Sequence, residues 1–230
     1  MGQFQALDPA KHCQNFSVAL VVRMPVLFRL VGISILLSQI LGTLPLCAAD
    51  NGFDGPMAEI VALHDKGAEG DKQAVRDCVA QLEKMVKAEP DNQLARVYLG
   101  SALTLLSRDL APGPGKLDAL KRGGQLMDQA VAAEPGNLRV RLVRAINNLK
   151  LPRIFGRRSM AYDDFALLLR AARGGKSGLS DPELQAIYFF GGEALKAQRQ
   201  KTEAVLVWNE GIAVDESSEL AGRMRTAIKK

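Results

Sequence analysis

Ala88-Glu89-Pro90-Asp91-Asn92 is matched by Ala133-Glu134-Pro135-Gly136-Asn137, 45 residues further along the chain. Each string follows an apolar segment of helical period and precedes another. Proline cannot continue a helix, and an asparagine just after it reads as turn and cap. Each string therefore marks where one helix stops and the next begins. Recurrence at this interval points to stacked helix pairs.

Working outward, the same punctuation divides the chain after residue 50 into helices. Pro56 to Lys66 is the first, with Asp54 as its cap and Pro56 in its first turn. Asp71 to Lys87 is the second. Asn92 to Arg108 and Lys116 to Ala133 form the next pair, joined by the stiff stretch Ala111-Pro112-Gly113-Pro114-Gly115. Leu138 to Lys150 and Ser159 to Arg173 form the third. Gly174-Gly175-Lys176-Ser177-Gly178 reads as a linker. Ser180-Asp181-Pro182-Glu183 then starts a fourth pair, 182–198 and 201–214, with a cap, an early proline and an early acid. Ser218 to Ile228 is expected as a final helix whose Arg223, Arg225, Lys229 and Lys230 suit a solvated end.

Inside these helices a second pattern recurs: a small residue, a large apolar one four on, a small one three further. It fits Cys78, Leu82, Met85; Gly123, Met127, Ala130; Ala161, Phe165, Leu168; and Ala204, Trp208, Gly211. Small side chains let helix backbones approach, and the large residue a turn later fills the groove between them. Leu99-Gly100, flanked by Tyr98 and Ala102, lies on a first helix, and Tyr188 and Gly192 sit at the matching offset in the fourth pair. On these residues the segment 57–216 resembles the tetratricopeptide repeat (TPR). It departs from the family in places. The first repeat lacks Leu-Gly, and the second is about 11 residues longer than the standard unit. Arg144 stands where the family has leucine, and Met85 and Leu168 are large. The expected fold is all-α: a TPR-like α-solenoid of about four helix pairs with a C-terminal capping helix, over residues 56–230.

The N-terminus has its own organisation. From Val26 to Leu46 the only charge is Arg29. An apolar core from Leu30 to Leu41 leads to Leu46-Cys47-Ala48-Ala49, and Asp50 and Asn51 open a polar region. A basic residue, an apolar run and a small-residue end make up a secretory signal. Residues 24–49 are expected to be a signal peptide cleaved after Ala49. Met24-Pro25-Val26 reads as a natural start, which leaves 1–23 as a misassigned extension. The alternative is an inner-membrane anchor over 26–46. The expected location is thus the bacterial periplasm or the exterior. Membrane contact would come only through the uncleaved segment.

Composition and charge exclude several functions. The formal charge is +5, of which the first 49 residues carry +2. The remaining surplus is mild and forms no basic tract, so no nucleic-acid footprint is expected. After residue 50 there is one histidine, His64, and one cysteine, Cys78. His64 reads as a surface or satisfied residue on the edge of the first helix. Cys78 shares an apolar face with Val75, Val79 and Leu82, where a thiol acts as a small hydrophobe. Gly113-Pro114-Gly115-Lys116 lacks the strand and spacing of a phosphate loop. Gly123-Gly124 and Gly191-Gly192 fall inside helices and read as close-packing sites. Asp163 and Asp164 are adjacent and point about 100° apart, so they do not converge; they read as solvated charge, or as partners for an arginine. No enzyme, cofactor or small-molecule substrate is expected.

The expected function is a non-catalytic protein–protein interaction scaffold of the periplasm or envelope. The alternative is a structural accessory of an envelope transport or secretion assembly. By resemblance, the first helices line a groove that receives peptides. By position that face is Leu94, Val97, Ser101 and Thr104, then Arg139, Leu142, Ile146 and Leu149, then Ala186, Phe189, Glu193 and Lys196. A short array can instead curl until this face is core. Arg144 would need a partner or a wet cavity unless it is exposed. The turn Pro152-Arg153-Ile154-Phe155-Gly156-Arg157-Arg158 combines arginines and apolar residues. Arg153, Phe155, Arg157 and Arg158 are candidate contacts, or the apolar pair simply closes the helix pair.

Overall fold

The computed structural model describes residues 55–175 and 178–230. The extension 1–23, the leader 24–49, the apolar run 26–46 and the Asp54 cap lie outside the described residues, as do Lys176 and Ser177 of the linker. Among the described residues the regular elements are all helices. They are α1 (Pro56–Glu69), α2 (Lys72–Ala88), α3 (Gln93–Asp109), α4 (Pro114–Ala133), α5 (Leu138–Lys150), α6 (Arg158–Arg173), α7 (Asp181–Ala197), α8 (Lys201–Val214) and α9 (Glu219–Ile228).

The two Glu-Pro strings are equivalent turns. Asn92 Oδ1 accepts from Ala95 N at 2.9 Å, and Asn137 Oδ1 accepts from Arg139 N and Val140 N at 3.1 and 3.2 Å. Each asparagine also donates back to the glutamate three residues before it, at 2.8 and 2.7 Å. The equivalence runs further than the strings themselves. Arg96 donates to the Pro90 carbonyl and Arg141 to the Pro135 carbonyl, so the repeat includes an arginine that clamps each turn. Asp71 caps α2 likewise, and the N–H groups of Ala74 and Gln73 hold its carboxyl below the usual range. α1 runs to Glu69 rather than stopping at Lys66. Gly67 faces Val75 closely instead of ending the helix, and Gly70, with φ of 122°, makes the stop.

Consecutive helices fold back on each other across short turns. The odd-numbered helices also touch in sequence: α1 on α3, α3 on α5, α5 on α7 and α7 on α9. The even-numbered helices make no comparable contact with one another. The tightest junction is α3 on α4. A Cβ on Gly100 would lie 2.6 Å from the Gly123 carbonyl oxygen, and one on Gly123 2.5 Å from that of Gly100. Met127 and Ala130, the next two residues of the pattern on α4, are fully buried. Cys78 with Leu82, Ala161 with Phe165 and Leu168, and Ala204 with Trp208 are buried in the same way, while Met85 is half-buried. Trp208 packs its indole on Gly192 and donates Nε1–H to the Phe189 carbonyl at 3.0 Å.

The interior is divided. One cluster runs from Ile60 to Val140 across α1–α5, the other from Leu142 to Met224 across α5–α9. α5 belongs to both. Between its apolar contributions it carries Arg144, Asn147 and Asn148, all buried.

Candidate functional site

The polar residues of α5 are held from four sides. Arg144 donates Nε–H and Nη2–H to Asp164 on α6 at 2.9 and 2.8 Å, and Nη1–H to Asp128 on α4 at 3.4 Å. Arg141 adds a third hydrogen bond to Asp164 at 2.6 Å. Burial pushes the Arg144 guanidinium down, but hydrogen bonding and the charge of Asp164 outweigh it, and the net direction is up. Arg144 thus meets the requirement for a partner. Asp164 is 1% exposed, so the reading of solvated charge is corrected: Asp163 faces solvent and its neighbour is the counter-ion of two arginines.

A second polar group lies where α1, α3 and α5 meet. His64 Nε2 is 2.8 Å from Ser101 Oγ, and the imidazole stands edge-on to Tyr98 at 5.3 Å. Asn147 donates to Ser101 Oγ at 3.1 Å and to Thr104 Oγ1 at 2.5 Å. His64 is therefore tied to the neighbouring pair through Nε2, while its buried Nδ1 has no hydrogen-bond partner. Among the described residues no cluster of three or more His, Cys, Asp or Glu side chains is placed to hold a metal. Cys78 is buried, lies 3.8 Å from the Ile60 carbonyl, and burial pushes its thiol up to about 12.

The expected groove residues divide by depth. Val97, Ser101, Thr104, Leu142, Leu149 and Phe189 are buried, because the stacking of α3 on α5 and α5 on α7 closes over them. Leu94, Arg139, Ala186, Ile146, Glu193 and Lys196 remain half-exposed along the same side. Arg139 is engaged: it donates to Glu183 at 2.6 and 3.1 Å, and Glu183 accepts from Ser180 N at 2.8 Å. This strap ties the start of α5 to the start of α7.

The arginine turn is also split. Arg153–Phe155 forms one 3₁₀ turn that sequence reading left unassigned, ended by Gly156 in the left-handed region. Ile154 is 85% and Phe155 39% exposed, so Ile154 does not close the helix pair. Arg157 turns inward, donating to both carboxylate oxygens of Asp128 at 2.8 Å and to Asn148 Oδ1 at 3.0 Å. Arg158 also turns inward, with a buried Nε that has no hydrogen-bond partner.

Phe189, Glu193 and Lys196 form part of an open cleft of about 640 Å³ between α7 and α9, whose other wall includes Glu219, Arg223 and Lys230. A recess of about 260 Å³ continues from it, sharing Phe189, Glu193 and Arg223 and adding Lys150, Arg158 and Phe190. Sequence reading missed Lys150, Phe190 and Arg223 as a group. They come from three helices, and no spacing rule connects them.

Among the described residues no helix is long and apolar enough to cross a membrane. Compared with protein-family models, with curated proteins and with solved structures, the chain matches none.

Proposed function

We propose that this chain is an exported, non-catalytic interaction scaffold. In this reading residues 56–230 are a TPR-like α-solenoid of four helix pairs with α9 as its cap. The scaffold holds a partner protein or peptide along the side lined by the odd-numbered helices. One observation carries the reading: α1, α3, α5, α7 and α9 touch in an unbroken row, while each even-numbered helix packs between its chain neighbours. Such a row presents one continuous face, the arrangement by which repeat arrays bind extended partners. Residues 24–49 serve in this reading as the export signal.

The test is a crosslinked pulldown from envelope fractions with the full chain and with Leu94→Asp and Ile146→Asp. The expected result is a partner recovered by the unaltered chain and lost with either variant. Recovery unchanged by both would overturn groove use, and N-terminal sequencing of the exported protein should begin at Asp50.

A second reading, an accessory subunit of an envelope assembly, draws on the opposite side. Leu117, Leu167 and Leu206 lie on α4, α6 and α8 and are 61%, 43% and 52% exposed. Sedimentation separates the two: self-association relieved by Leu167→Lys and Leu206→Lys supports the accessory reading, and a monomer supports the groove.

A further inference from the structure

Several arginines of the chain are answered by carboxylates. Arg139 meets Glu183, Arg141 and Arg144 meet Asp164, Arg157 meets Asp128, and Arg173 meets Glu203 and Glu210. The recess between the end of α5, the start of α6, α7 and α9 differs. Among the described residues Lys150, Arg158 and Arg223 all line it and none of them has an ion-pair partner.

Lys150 and Arg223 lie against aromatic rings rather than acids. The Arg223 guanidinium sits 4.4 Å from the centroid of the Phe189 ring, and the Lys150 ammonium 5.1 Å from that of Phe190. The two rings are edge-to-face at 4.9 Å, so they hold the two cations side by side. Burial, and after it the charge of Arg223, pushes the Lys150 ammonium down from its ordinary value. Arg158 lines the same recess, in which Glu193 is the one carboxylate among the described residues.

We propose that this recess receives an acidic segment of a partner protein, seating one carboxylate among Lys150, Arg158 and Arg223 and an adjoining apolar side chain toward Phe189 and Phe190. Charge complementarity selects this occupant. Three unanswered cations attract an anion, while Glu193 and Glu219 in the same cleft repel a uniform polyanion such as nucleic acid. The donors sit on the walls of a concave recess, whose shape suits a peptide side chain better than a flat lipid surface. The proposal rests on the scaffold reading and specifies which end of the array does the gripping.

The experiment immobilises the full chain and passes over it two pools of random heptapeptides, one with a central Glu fixed and one with Gln. The Glu pool is expected to be retained about tenfold better, as one charge-assisted contact implies. Lys150→Met and Arg223→Gln should each abolish that preference, Glu193→Gln should sharpen it, and Arg153→Ala should leave it intact. Circular dichroism confirms that each variant is folded; all four positions but Glu193 are exposed. Equal retention of the two pools overturns the proposal, as does a preference that survives Lys150→Met and Arg223→Gln. Displacement of every peptide by inorganic phosphate alone, or tighter capture of phosphatidylglycerol vesicles through the same residues, also overturns it. A pulldown partner insensitive to these variants sinks the cleft and leaves the scaffold standing, whereas no partner at all sinks the scaffold.

Discussion

Arg144 and Asp164 face each other in the interior with two parallel hydrogen bonds of 2.9 and 2.8 Å, one partner on α5 and the other on α6. A buried pair of this kind contributes little net attraction relative to apolar residues, because both charges leave water. Removing one partner is far more costly. Asp164→Ala strands both Arg144 and Arg141 and is expected to cost about 3–5 kcal/mol in urea unfolding. The double change Arg144→Met with Asp164→Leu should recover a large part of that loss. A double variant as unstable as Asp164→Ala would refute this account.

Gly100 and Gly123 supply a second prediction with an internal control. A methyl on either meets the other's carbonyl oxygen, a backbone atom that cannot rotate away. Gly100→Ala and Gly123→Ala should each cost about 1–3 kcal/mol. At Gly124 the nearest neighbour of an added Cβ is the Arg157 guanidinium, at 3.6 Å. Gly124→Ala should therefore be neutral or stabilising by up to about 1 kcal/mol, since alanine favours helix. Thermal unfolding of the three variants decides it.

Cys78 predicts a pH dependence. Its folded value of about 12 lies above the ordinary 9.0, so the folded state keeps the proton that the unfolded state releases. The stability this represents is fully present below pH 9 and is lost as pH rises toward 12, with a slope of up to about 1.4 kcal/mol per pH unit. Tyr98, which burial also pushes up, acts in the same direction at higher pH. Stability measured from pH 8 to 10 should begin to fall near pH 9, and Cys78→Ala should flatten the onset. Ellman's reagent should leave Cys78 unmodified in the folded protein at pH 8.

Arg153 and Arg157 lie four positions apart in one turn and should behave differently. Arg153 is exposed and Arg157 joins Asp128 to Asn148. Arg157→Ala is expected to lower stability by about 1–3 kcal/mol, and Arg153→Ala by nothing measurable. Equal effects in chemical denaturation would contradict the inward placement of Arg157.

Local chemistry made much of the fold legible. The bounds of α5 and α8 coincide with those read from Asn137, Pro152 and the apolar period, because proline and capping groups act within a few residues. The small-large pattern likewise marked Gly123 as a close-packing site, and Gly100 is what it meets. What escaped depends on distance along the chain. The carboxylate that answers Arg144 is 20 residues away, and adjacency made Asp163 and Asp164 look alike although one is exposed and the other buried. The expected groove lost Val97 and Leu142 to the core because the depth at which α3 packs on α5 is set by contacts distant in sequence. The unanswered cations of Lys150, Arg158 and Arg223 emerge only when three helices converge.

The partition of the interior at α5 has a mechanical meaning. Oily contact gathers on either side of this helix, and the helix also carries directional ties: Asn147 to Ser101 and Thr104, Arg144 to Asp164 and Asp128. Bonds of this kind hold only at their proper angles, so they fix the register of α5 against α3, α4 and α6 where greasy contact alone would tolerate sliding.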